Sequence, residues 1–300
     1  MPDTTTSPPA ERGTTARWDD LEIETVRRRP TVDLSVIVPT YRCAARIYAN
    51  MCRLSAALDE MPYTHEILVV SDGNTDGTDR EITRLSDDCP NLHALHYGRN
   101  QGKGYALTYG VARSRGRLIT FIDGDGDIDP QQITTYVELM ERENADIVVG
   151  SKRHPDSEVV YPPLRRLYSW GYQALLRVLF DLEVRDTQVG LKVFRRHVLE
   201  AVLPRIVVKR YAFDLELLVV ACHLGYCRIV EAPVAIGQRF SSTIGVRAVR
   251  NILHDTLAIF YRKHILRYYD RCPQVELHRV PLLVVERRPS RFAAALRLSR

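Results

Sequence analysis

The chain of 300 residues contains no uninterrupted apolar stretch of the roughly 18 residues that a membrane-spanning helix needs, so no transmembrane segment is expected. Its six cysteines, Cys43, Cys52, Cys89, Cys222, Cys227 and Cys272, form no CxxC pair. That spacing implies neither a zinc site nor a disulfide framework and reads as the reduced thiols of a cytosolic protein. The amino terminus, with Pro8, Pro9, Glu11, Asp19 and Asp20, lacks the apolar core of a signal peptide, and a cytoplasmic location is expected. Aromatic residues make up 8% of the chain and do not alternate with basic ones as a nucleic-acid stacking platform requires, so no nucleic-acid partner is expected. No internal repeat is present.

Hydrophobic residues, at 45%, suffice for a sizeable core in one large or two small domains. The net charge of +5 is unevenly placed, with Arg and Lys gathered in segments 161–177, 195–210 and 247–300. Such asymmetry suits an anionic partner, and a solvated basic face would show the same pattern.

Residues 1–31 carry no sustained period and are expected to form a flexible arm. From Asp33 onward, short β-branched runs alternate with helical periods. The runs are Leu34–Val38, Glu66–Val70, Leu92–Leu95, Leu118–Ile122 and Asp146–Val149, with helices between them over about 43–60, after the turn at 71–78, over about 103–114 and after Pro130. This alternation predicts an α/β fold, a mostly parallel, doubly wound sheet with helices on both faces. Further helices are expected over 163–180 and 211–224, a strand at Arg228–Glu231, and one long basic helix over 245–268 whose apolar face mostly completes the core. The tail from Cys272 has no assignable element.

Three polar clusters sit where such a sheet places its ligands. Asp123-Gly124-Asp125-Gly126-Asp127 follows an apolar strand. Carboxylates this close repel unless a cation lies among them, and hard ions such as Mg²⁺ or Mn²⁺ take oxygen ligands. A calcium loop of the EF-hand type fails, because its sixth and twelfth positions hold Ile128 and Thr134. The cluster Ser71-Asp72-Gly73-Asn74-Thr75-Asp76-Gly77-Thr78 has the residues of a helix-capping turn, and Asp72 is also placed to accept hydrogen bonds from a nucleobase. Gly98-Arg99-Asn100-Gln101-Gly102-Lys103-Gly104 is one residue short of a P-loop and has no Ser or Thr after the lysine, which argues against a Walker-type ATPase. It can still seat a diphosphate at a helix N-terminus beside Lys103, although helix entry alone accounts for its glycines equally well.

The order of these pieces resembles family 2 glycosyltransferases of the GT-A fold, over about residues 33–245. Among them it is most similar to the polyprenyl (dolichyl) phosphate sugar synthases, through Gly150-Ser151-Lys152-Arg153, Arg165 with Ser169, and Asp186-Thr187-Gln188-x-Gly190-x-Lys192-x-Phe194. The resemblance implies a single GT-A domain at 32–245, a basic amphipathic helix at 246–271 and a basic tail at 272–300. It implies that Pro39, Tyr41 and Asp72 line the base and ribose pocket, that Asp123 lies beside ribose and metal, and that Asp125 and Asp127 ligate Mg²⁺ or Mn²⁺ on the donor's diphosphate. Arg165 and Ser169 would receive the acceptor's phosphate, Lys152 or Arg153 would join the cationic ring, and Arg239 would close over the phosphates.

Three positions depart from the family pattern: Arg42-Cys43 replaces Asn-Glu, Ser71 replaces the first of two aspartates, and the loop from Arg239 to Ile244 lacks a lysine. The implied reaction is metal-dependent, inverting transfer of a hexose from a GDP- or UDP-sugar to a polyprenyl phosphate. A phosphate nucleophile is already anionic and needs no general base. Transfer to a sugar or natural-product hydroxyl is the alternative, with Asp186 or Asp214 as base. A third reading is a non-catalytic, membrane-associated nucleotide-sugar-binding protein. A lipid acceptor implies a peripheral protein on the cytoplasmic face of the membrane, where the helices at 163–180 and 245–268 would meet the lipid.

Overall fold

The computed structural model describes residues 30–157, 163–209, 212–237 and 246–271, so nearly all of the expected arm, the basic tail and Arg239 lie outside the described residues. The β-branched runs form β1 (Val32–Thr40), β2 (His65–Asp72), β3 (Leu92–Tyr97), β4 (Gly116–Phe121) and β5 (Ile147–Ser151), joined by β6 (Lys192–Arg195) and β7 (Ile229–Pro233). Between them run α1 (Ala44–Asp59), α2 (Thr78–Asp88), α3 (Lys103–Val111) and α4 (Gln132–Arg142). Later come α5 (Pro163–Phe180), α6 (Arg196–Val202), α7 (Phe213–His223), α8 (Val246–Phe260) and α9 (Tyr268–Arg271).

The strands make one sheet in the order β3-β2-β1-β4-β6-β5-β7. All neighbours are parallel except β6, which runs antiparallel to both β4 and β5. The sheet is thus mostly parallel, as expected, with one antiparallel strand. Alternate residues of each central strand point to opposite faces, as the two-residue period of a strand requires. Ile37 enters a core shared with Leu107, Phe194 and Leu218, while Val36 and Val38 enter the other with Ile47, Ile82 and Ile133. Helices thus cover both faces of the sheet.

The strand order reverses between β1 and β4, which creates a crevice at their carboxyl ends. Registers of Ile37 with Phe121, Thr40 with Ser71 and Asp72 with Tyr97 bring the ends of β1, β2, β3 and β4 to one edge. The three polar clusters meet there.

The single helix expected over 245–268 is instead α8, a π-helical turn at Tyr261–Ile265, and α9. The break lets Arg262 and Tyr269 reach the same buried acceptor, Glu216 of α7, at 2.9 and 2.6 Å. The other oxygen of Glu216 accepts the Val207 and Val208 N–H groups, so no lone carboxylate is left in the core. The expected burial of the apolar face is also corrected: Ile259 is buried, but Leu253, Leu257, Tyr261 and Ile265 are exposed. α8 packs beside α5 through the Tyr172 and Thr256 hydroxyls at 3.0 Å.

Candidate active site

Asp123, Asp125 and Asp127 occupy the loop after β4, and the chain holds the backbone of that loop firmly. Asn50 of α1 donates to the Gly124 carbonyl at 3.1 Å, the Gly237 N–H donates to the Asp127 carbonyl at 3.2 Å, and Ile128 bridges to Ile236. The carboxylates are treated differently from the backbone. Asp125 accepts the Asp127 N–H at 3.1 Å, and no side chain among the described residues donates to Asp127. Loss of hydration raises the Asp125 carboxyl above the usual carboxylate range, and the charges of Asp123 and Asp127 add to that. Two oxygen ligands with little else to bind suit a hard cation. No group of three or more metal-binding side chains is gathered among the described residues, so further ligands would have to come from a substrate or water.

Asp123 is engaged by Lys103, the first residue of α3, whose Nζ lies 2.6 Å from Oδ1. Burial alone would lower the Lys103 ammonium, but the pull of Asp123, with Asp214 and Asp125 beyond it, raises it. On the opposite side, a Cβ placed on Gly190 would lie 2.1 Å from Asp123 Oδ2, so only glycine lets the 186–192 loop pass. A cleft of about 230 Å³ opens beside these groups, lined by Pro39, Tyr41, Asp72, Lys103, Asp123 and Asp125, among others.

The turn after β2 is a different kind of acidic cluster. Asn74 accepts the Arg42 N–H at 2.6 Å, Thr78 accepts the Cys43 N–H at 3.1 Å, and Asp76 accepts the Ala44 N–H at 3.3 Å. These side chains cap α1, whose own N-cap residue, Cys43, makes no side-chain cap. Asp76 also caps α2 through Thr78, and the Thr78 hydroxyl holds the Asp76 carboxyl below its ordinary value. Sequence reading foresaw the cap of the following helix but not that of the preceding one. Asp72 lines the cleft as expected, yet its carboxylate accepts from Tyr97, Asn100, Gln101 and Gly102.

Residues 35–203 match the family model described as glycosyl transferase family 2. The chain belongs to that family. It is 29% identical over 266 residues to a dolichyl-phosphate beta-glucosyltransferase of Trichomonas vaginalis, across 84% of this chain and 79% of the relative. It is 32% identical over 210 residues to an undecaprenyl-phosphate mannosyltransferase of Micrococcus luteus, across 68% of this chain and 83% of the relative. Among solved structures it resembles glucosyl-3-phosphoglycerate synthase from Mycobacterium tuberculosis in complex with Mn²⁺, uridine diphosphate and phosphoglyceric acid. The TM-score is 0.58 and the identity 18%, across 78% of each chain, which establishes a shared GT-A fold.

In this family 2 glycosyltransferase, other expected site residues are spread more widely. Arg165 and Ser169 lie on α5, Lys152 and Arg153 follow β5, and Arg239 falls outside the described residues. Arg153 donates to Gln173 of α5, while its Nη2 is buried with no partner among the described residues. Sequence reading gave Lys192 no role, although it stood inside a quoted motif. Its ammonium is buried between the Val189 carbonyl at 2.6 Å and Asp214 at 2.7 Å. Burial would raise the Asp214 carboxyl, but Lys192 and then Lys103 hold it low. Asp214 is therefore an ion-pair partner and a poor general base. Asp186 accepts the Gln188 and Lys152 N–H groups at 2.9 and 3.3 Å, which shapes the loop that carries Gly190.

Proposed function

We propose that this enzyme transfers a hexose from a nucleotide sugar to a polyprenyl phosphate, with inversion and with a divalent cation, at the cytoplasmic membrane surface. The observation that carries the reading is the cleft lined by Asp125 and the Lys103–Asp123 pair, with Asp127 two residues further along the same loop and its carboxylate without a side-chain donor among the described residues. Relatives named for transfer to dolichyl and undecaprenyl phosphate support the acceptor class. Bound between Asp125 and Asp127, Mg²⁺ or Mn²⁺ would offset the charge on the departing diphosphate. Pro39 and Tyr41 would flank the nucleoside, Asp123 would face the ribose, and Lys103 would turn from Asp123 to the diphosphate.

On the acceptor side, Arg153 offers an unfilled buried donor next to α5, where Arg165 and Ser169 would hold the acceptor phosphate. Lys152 would join that cationic ring, and Arg239, outside the described residues, would close over the phosphates. The exposed Trp170 and Val178 of α5, with Leu257, Tyr261 and Ile265 beside Arg250 and Arg267, offer an apolar, basic surface to lipid. No helix among the described residues is long and apolar enough to cross a membrane. Transfer to a hydroxyl is disfavoured, because both candidate bases, Asp186 and Asp214, already serve internal partners.

The test is incubation of the purified chain with Mg²⁺ or Mn²⁺, UDP- and GDP-hexoses, and vesicles carrying a short polyprenyl phosphate, followed by mass spectrometry. A lipid-linked hexose is expected. Glycosylation of a hydroxyl acceptor without any lipid product would displace the proposal.

A further inference from the structure

We propose that Asn50 is a positioning residue for the divalent cation, one that holds Asp125 in ligating geometry through the loop backbone without touching the metal. The inference rests on the metal assignment above and deepens it. Asn50 projects from α1, a helix anchored in the core by Ile47, Met51, Leu54 and Leu58. Its amide nitrogen donates to the Gly124 carbonyl at 3.1 Å. A Cβ on Gly126 would lie 2.5 Å from Asn50 Oδ1 and 2.6 Å from both Cγ and Nδ2. Three nearly equal distances to three coplanar atoms put Gly126 over the flat face of the carboxamide. A single side chain therefore grips the residues on both sides of Asp125.

The surroundings of the loop decide what that grip controls. On the β1 side, a Cβ on Gly124 would meet Thr40 Cγ2 at 3.0 Å and Val38 Cγ1 at 3.2 Å, so the loop is pressed between strand and helix. Gly126 has a φ of +79°, a left-handed conformation that glycine takes at little cost and that turns the chain toward Asp127. The Asp127 N–H then donates to Asp125 Oδ1 at 3.1 Å, which ties the placement of one residue to the other. Behind the loop, a hollow of about 20 Å³ bordered by Asn50, Leu54, Ile122, Gly126 and Ile128, among others, leaves the backbone room to sink if the amide is lost. A cation that relies on two carboxylates depends on where they stand. Mg²⁺ depends on it most, because it demands near-octahedral geometry, whereas Ca²⁺ accepts variable geometry.

Calorimetric titration of Mg²⁺ and Ca²⁺ into the wild type and Asn50→Leu, with UDP or GDP present and a protein-free control, tests this. Leucine roughly keeps the volume and removes the donor. Asn50→Leu should weaken Mg²⁺ by roughly tenfold, the lower end of what groups orienting metal ligands contribute, and Ca²⁺ by clearly less. A general loosening of the fold would not separate the two ions. If Asn50→Leu proves unfolded by circular dichroism, Gly126→Ala presses on the same amide from the loop side. It should show the same order of ions, and its added loss should shrink in an Asn50→Ala background, where the collision is gone. Unchanged Mg²⁺ affinity in folded Asn50→Leu, equal losses for the two ions, or full additivity of Gly126→Ala with Asn50→Ala would overturn the inference. Wild-type protein that binds no divalent cation with either diphosphate would overturn the metal assignment itself.

Discussion

The turns after β2 and β4 look alike in sequence, each a short run of Asp and Gly at the end of a buried strand, and the fold uses them in opposite ways. After β2, Asp72 and Asp76 are filled by N–H and O–H donors from α1, α2 and the 98–104 loop. After β4, the backbone is secured by Asn50 and Gly237, while Asp125 and Asp127 accept almost nothing. A carboxylate satisfied internally stabilises the fold, and one left unsatisfied beside like charges is a ligand in waiting. The Asp-Gly pattern does not separate the two cases. The supply of donors around each turn does.

The sharpest way to break this contrast is to neutralise the second turn. Asp125→Asn with Asp127→Asn should lower transfer by on the order of 10²–10³-fold or more, the scale of lost electrostatic stabilisation. Its thermal midpoint should be unchanged or slightly raised, because like-charge repulsion is relieved. A steady-state assay beside a melting curve checks both. Chelation should reproduce the loss of turnover in the wild type, with recovery on adding Mn²⁺ or Mg²⁺ and no loss of folded protein by circular dichroism.

The first turn should respond in reverse. Asp76→Ala should cost about 1–2 kcal/mol of stability, the usual value of a lost helix cap, with turnover per folded molecule little changed. Denaturant unfolding measures the first and active-site titration the second. The smallest effect is in pH. Because the folded carboxyl of Asp76 lies below its unfolded value, its stabilisation is full above about pH 3.9 and fades as pH falls through the lower folded value. The stability gap between wild type and Asp76→Asn should therefore close only in that acid range, as acid-titration melts would show.

The alternation of strands and helices was legible because each of β1 to β5 is a compact β-branched run bounded by polar turns. β6 was not, since Lys192–Arg195 is only four residues long with a charge at each end, and its antiparallel placement depends on pairing with β4 and β5 far away in sequence. The acidic cluster could be read from its position at a strand end and Lys103 from the Gly-rich loop that opens α3, whereas Pro39 and Tyr41 came only from the family resemblance. The ion pair of Lys192 with Asp214 could not, because nothing local shows that residues 22 apart share one buried space. The broken C-terminal helix escaped for a similar reason: its periodicity continues through Tyr261, and only the buried Glu216 explains why the backbone changes register.

The contact between Gly190 and Asp123 limits how this enzyme can be redesigned. With a hypothetical Cβ only 2.1 Å from Asp123 Oδ2, the loop carrying the 186–194 motif has no clearance over the donor side. A chimera that imports that loop from a relative inherits a fit already set by the rotamer of Asp123. The loop after β4 and the 186–194 loop are therefore exchangeable only as a matched pair, and a library that varies one of them alone will mostly sample collisions.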